Sequence, residues 1–174
     1  MANDQPSGRL GVGIELAVRG AHRGPSRPRK SPFTGEMESY AELEMTDEEY
    51  RAATAVLARY GKVDEYGEGR LDLTTAQIEV WGFDFDGAMI NLIGELRGAC
   101  DVLFELATAA SLVVQFESAL GEASALVTTP GALALTRALD QAAHEELGPV
   151  VLVADAEALW RAIAPPHAQP RGVA

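Results

Sequence analysis

Residues 87–109 read GAMINLIGELRGACDVLFELATA, and the fold turns on how their apolar side chains are spaced. Met89, Leu92, Ile93, Leu96, Ala99, Cys100, Leu103, Leu106 and Ala107 recur at intervals of three and four, which predicts one helix over the whole stretch with a wide apolar stripe. Asn91, Glu95, Asp101, Glu105 and Thr108 line the other side. Ile90, Val102 and Phe104 widen the apolar surface and mark this as the central helix, with Gly94 and Gly98 allowing a neighbour to approach closely.

Upstream, residues 71–83 (LDLTTAQIEVWGF) are rich in β-formers and predict a long strand broken near Thr74-Thr75, after a polar loop over 61–70. Residues 10–18 (LGVGIELAV) alternate, with Leu10, Val12, Ile14, Leu16 and Val18 on one side, so they predict a half-buried strand. Residues 20–36 hold three prolines and three glycines without periodicity, the pattern of an exposed loop or hairpin arm. A second strand is expected over 39–45, with Ala41, Leu43 and Met45 facing in and Tyr40, Glu42 and Glu44 facing out. Thr46-Asp47-Glu48-Glu49 is a capping box for a helix that runs to about Tyr60 and stops at Gly61.

Downstream, residues 111–116 and 124–128 read as two short strands around a turn at 119–123. One helix is expected from Thr129-Pro130 to Leu147-Gly148-Pro149, then a strand over 149–153 and a last helix capped by Asp155. The expected architecture is α+β, a single domain over 9–164, with a mixed, mostly antiparallel sheet and about four helices packed on it. The basic arm 20–36 stands out from that domain, and disordered segments are expected over 1–8 and 165–174.

A chain of 174 residues with 47% hydrophobic side chains can bury a core without staples. One cysteine excludes an internal disulfide framework and a multi-Cys zinc site. No apolar run is long enough for a membrane span, and the polar start lacks the apolar segment of a signal peptide, so a cytoplasmic protein is expected. A net charge of −12 weighs against nucleic acid as a general partner. The charge is uneven: residues 1–30 hold six basic and two acidic side chains, a balance of +4, which leaves −16 for the rest. Residues 31–50 hold seven carboxylates and no Lys or Arg.

Gly82-Phe83-Asp84-Phe85-Asp86-Gly87, read as a strand end before a helix, resembles the first motif of haloacid-dehalogenase-type phosphotransferases. That resemblance implies Asp84 as the nucleophile, Asp86 as the proton shuttle, Thr128 in a second motif, Asp155 as a metal-binding acid, and a Mg²⁺ ion. The chain departs from the pattern: no lysine follows Lys62, and Ala88 stands where the family has Thr. Residues 11–36 resemble in outline the β-arm of bacterial histone-like DNA-bending proteins, which implies nucleic-acid contact through the basic residues of 19–30.

His22, His144 and His167 show no zinc spacing, Cys100 falls on the apolar helix stripe, and there is no nucleophile elbow, P-loop or dinucleotide fingerprint. The sequence therefore points first to a non-catalytic acidic binding protein without a cofactor, an immunity-like stoichiometric inhibitor of a basic, nucleic-acid-acting toxin or enzyme. Glu36, Glu38, Glu42 and Glu44, with Tyr40 as an aromatic anchor, are the expected contacts with that basic partner.

Overall fold

The computed structural model describes residues 13–25, 27–31, 33–40, 42–117, 123–139 and 141–164. Leu10 and Val12 of the expected first strand, the turn expected at 119–123 apart from Ala123, and the segments 1–8 and 165–174 lie outside the described residues. In chain order the elements are β1 (Ile14–Arg19), β2 (His22–Arg23), β3 (Arg27–Lys30), β4 (Met37–Tyr40), β5 (Leu43–Glu44), α1 (Asp47–Tyr60), β6 (Gly61–Val63), β7 (Gly69–Asp72), β8 (Ala76–Asp84) and β9 (Gly87–Gly94). They continue with α2 (Leu96–Ala109), β10 (Val113–Glu117), β11 (Ala123–Val127), α3 (Pro130–Arg137), α4 (Gln141–Leu147), β12 (Val150–Leu152) and α5 (Ala156–Ile163).

The protein is α+β. Eight strands form one sheet in the order β12-β11-β10-β1-β9-β8-β7-β6, antiparallel throughout except for the β11–β12 pair. The long helix expected over 87–109 is instead a strand followed by a shorter helix. Within β9, Ala88, Ile90 and Leu92 are buried whereas Met89 is exposed, a two-residue alternation hidden because Met89 and Ile93 are also apolar. Gly87 and Gly94, both at positive φ, bracket the strand, and Glu95 opens α2.

Other expectations are corrected in the same way. The break at Thr74-Thr75 is a hairpin turn between β7 and β8, closed by the Leu73 amide on the Ala76 carbonyl at 2.9 Å. The loop 61–70 contributes β6 and the start of β7 to the sheet edge. The strand expected over 39–45 divides into β4, paired with β3, and β5, paired with β2. The helix expected over 129–147 divides into α3 and α4, because the Ala138 and Leu139 amides turn back on the last carbonyls of α3. Five helices are therefore present among the described residues.

Strand alternation sorts the helices onto two faces. Val114 and Leu126 join the large core with Leu16, Ile78, Ile90 and Leu92, where α2 packs on β8 and β9 between α1 and α5. Val113, Ala125 and Val127 point the other way, into a smaller core with Ala132 of α3 and Leu147 of α4. The second face of β1, β9 and β8 is left to solvent and to the short β2–β5 pair.

The α1 capping box forms as read: Thr46 Oγ1 accepts from the Glu49 amide, and Glu49 accepts from the Thr46 amide. The far end of α1 is clasped to α2, where Tyr60 Oη donates to Glu105 Oε2 at 2.6 Å and Arg59 pairs with the other carboxylate oxygen. The Tyr60 hydroxyl, helped by Arg59, holds the Glu105 carboxyl below its ordinary value of 4.5, against partial desolvation. A lowered folded pKa contributes stability that is present above pH 4.5 and is lost as acid protonates the folded group. In Tyr60→Phe, the Glu105 carboxyl followed by carbon NMR should titrate at higher pH than in the wild type. The acid-side loss of stability should shrink with it, and an unmoved midpoint would show that the clasp does not tune this group.

Candidate functional site

The Gly82-to-Gly87 motif lies at the tip of the β8–β9 hairpin, and every residue of it has a structural task. Gly82, at φ +65, opens a bulge in which Gly82 and Phe83 stand against the single residue Ala88. The extra residue reverses the alternation: Val80 faces the core, Trp81 faces out, and Phe83 turns back to the core. Phe83 and Phe85 stack on opposite sides of the Tyr50 ring, at centroid distances of 5.1 and 4.3 Å. The Asp84 carboxylate accepts from the Phe85 amide, the Phe85 carbonyl from the Met45 amide, and the Asp86 carbonyl from the Gly20 amide.

The hairpin tip is a ridge between two cavities. One, of about 370 Å³, lies against α1 and is lined by Tyr50, Leu57, Lys62, Asp64, Phe83 and Asp84 among others. The other, of about 260 Å³, lies on the open sheet face. Cross-strand register sets Ala17, Met89 and Trp81 in one row across β1, β9 and β8, and these form its floor. Glu42 and Leu43 wall one side, and Asp86 and Arg19 complete the rim. Trp81 is 40% and Met89 46% exposed, unusual for side chains at the middle of a sheet. Arg19, the cation at the rim, pairs with Glu146 of α4 at 2.6 Å.

The four residues of the phosphotransferase pattern are not brought together. Asp84 and Asp86 line opposite cavities. Thr128 follows β11, three strand spacings from β9 or about 14 Å, and Asp155 lies beyond β12, a further spacing away. Asp155 caps α5 by accepting from the Ala158 amide, and the Thr128 hydroxyl is buried without a partner among the described residues. The strand β9 stands where the pattern needs a helix. Among the described residues no cluster of His, Cys, Asp or Glu is arranged to hold a metal ion.

The carboxylates of 31–50 do not share one surface. Glu36 is exposed in the β3–β4 turn; Glu38 and Tyr40 lie in β4, their side chains outside the described part of the structure. Glu42 is exposed and lines the sheet-face cavity, whereas Glu44 is half-buried opposite His22 and packs beneath Gly24. Glu49 is held by the capping box and by His22 Nε2 at 3.1 Å. Of the expected contacts whose side chains are described, Glu42 lines the sheet-face cavity, and Glu36 and Glu44 are not among its lining residues. Trp81, Met89 and Asp86 join Glu42 there. A signal for Trp81 existed, since Gln77-Ile78-Glu79-Val80-Trp81 puts an aromatic on the polar side of an alternating strand.

No family model, no curated protein and no solved structure matches the chain. No helix among the described residues is long and apolar enough to cross a membrane.

Proposed function

We propose that this chain is a non-catalytic acidic binding module that takes a basic protein partner on the open face of its sheet, as an immunity-like inhibitor does with a basic nucleic-acid-acting enzyme or toxin. The observation that carries the reading is the pairing of exposed Trp81 and Met89 with Glu42 and Asp86 around one cavity of about 260 Å³. Large apolar side chains supply contact area at the centre of an interface, and carboxylates at the edge select for Lys or Arg and speed encounter at low salt. The charge of −12 extends that field over the whole molecule.

The test is retention and affinity measured in parallel for the wild type and a Glu42→Lys, Asp86→Lys variant, at low and moderate salt. One stoichiometric basic partner is expected, bound about tenfold or more weakly by the variant, with a change in Trp81 emission on binding. Both substituted side chains are exposed, so unfolding of the variant should match the wild type within about 0.5 kcal/mol. Glu44→Lys is a poorer probe, because Glu44 packs beneath Gly24. A partner held equally by both proteins would remove the site from this face, and a blank at both salts would remove the function.

A further inference from the structure

Tyr66, Trp81, Phe85 and Met89, four of the large apolar side chains left exposed among the described residues, gather around the end of the β8–β9 hairpin. Trp81 and Met89 floor the open-face cavity. Phe85, on the crest of the ridge, stays 39% exposed although one side of its ring lies on Tyr50. Tyr66, 76% exposed, stands between Glu65 and Gly67 of the α1-side cavity, and the Gly67 carbonyl accepts from the Phe83 amide at 3.0 Å. Apolar surface thus leads from one cavity, over the tip, to the other. Aromatic residues and Met are the types enriched where proteins meet.

Both cavities are acidic. The α1-side cavity is lined by Asp64, Glu65 and Asp84 against Lys62, a balance of −2. Glu42 and Asp86 line the open-face cavity against Arg19, and Arg19 is already paired with Glu146. We infer that one extended basic segment of the partner crosses the tip and sets a cationic side chain in each cavity, beside Asp84 on one side and Asp86 on the other. This inference rests on the reading of the open face as a site for a basic protein, and adds the ridge and the second cavity to it.

Charge selects the sign of the occupant, since both cavities repel a phosphate-bearing one. Continuity selects its size: a small cation would fill one cavity and leave Phe85 and the far cavity bare. Arginine suits these walls, because a guanidinium can lie on an aromatic face while it donates to a carboxylate. The ridge is also held in place before any partner arrives. The Phe85 carbonyl accepts from the Met45 amide at 2.6 Å, and the Asp86 carbonyl from the Gly20 amide at 3.2 Å. Little ordering of the tip is then left to oppose binding.

Nona-arginine, titrated into the isotope-labelled full chain at about 0.15 M salt and followed by NMR, is the probe. The largest shifts should appear together on both sides of the tip, at Lys62, Gly67 and Phe83 and at Ala17, Met89 and Trp81. Asp84→Lys should weaken binding about tenfold, and the open-face shifts should follow the same weakened curve although Asp84 does not line that cavity. Asp84→Asn, which keeps an acceptor for the Phe85 amide, should weaken both sets about threefold and guards against a disturbed turn. Glu95→Lys makes the same charge change on an exposed residue at the far end of β9, about 26 Å from the tip, and should cost less than about twofold. Shifts confined to one cavity, an Asp84→Lys chain that binds as the wild type does, an equal loss in Glu95→Lys, or a titration without shifts would each overturn the inference. If Glu42→Lys with Asp86→Lys abolishes binding while Asp84→Lys leaves it intact, the open-face reading stands and only the straddling falls.

Discussion

Gly87→Ala should cost more than about 3 kcal/mol of folding stability, a large part of what a domain of this size has, whereas Gly82→Ala in the same motif should cost about 1 kcal/mol. Both glycines have positive φ, +136° and +65°, so both substitutions bring backbone strain. The surroundings separate them. A Cβ on Gly87 would lie 1.9 Å from the Val18 carbonyl oxygen and 2.9 Å from Arg19 Cα, all backbone atoms that no rotamer change can move. A Cβ on Gly82 would meet nothing within 4 Å. Relief at Gly87 requires β1 to leave β9 at the Val18–Ala88 and Arg19–Gly87 pairs, and β1 is the strand that joins the two halves of the sheet. Urea unfolding of the two variants side by side gives the answer. If Gly87→Ala unfolds within about 1 kcal/mol of Gly82→Ala, the close crossing of β1 and β9 is not a constraint on the fold.

The same crossing explains what the sequence disclosed and what it concealed. Elements with a chemical start signal were legible: the Thr46–Glu49 box, Thr129 before Pro130 and Asp155 before α5 all act as N-caps. The alternation of Ile14, Leu16 and Val18 was legible because Glu15 and Ala17 between them are not large apolar residues. Residues 87–94 were not, because Met89 and Ile93 on the open face satisfy a helical spacing as readily as a strand one. The site depended on that error. With 87–109 read as a helix, the two aspartates fell at a strand-to-helix junction and suggested phosphoryl chemistry. With β9 in place they flank a hairpin tip, and Met89 comes to lie beside Trp81 across the strand pair. Cross-strand neighbours follow from register, which is a tertiary property, so the cavity could not be assembled from local spacing. The dispersal of Glu36, Glu42 and Glu44 has the same origin, since β4 and β5 pair with different strands.

Cys100 should be almost inert toward alkylating reagents in the folded protein and react at the rate of an ordinary thiol once the chain unfolds. The side chain is fully buried in the core under α2, and burial, with a smaller contribution from Asp101, pushes the thiol up from 9.0 to about 12. The thiolate is the reactive form, so near pH 8 its population falls by about a thousandfold, before any steric exclusion by the core is counted. Labelling must then wait for opening of the helix-covered core, and its rate measures that opening rather than intrinsic chemistry. The raised pKa also sets a sign. Between pH 9 and about 12 the unfolded chain releases a proton that the folded chain keeps, so this group's contribution to stability declines with rising pH across that window. Timed alkylation followed by mass spectrometry, in native buffer and in urea, separates the two regimes. Rapid labelling of the native protein at pH 8 would mean that α2 lifts from β8 and β9 far below the global unfolding transition. In Gly87→Ala, where β1 is levered off β9 beneath that helix, the same thiol should become labelled in native buffer at a rate that tracks the loss of stability.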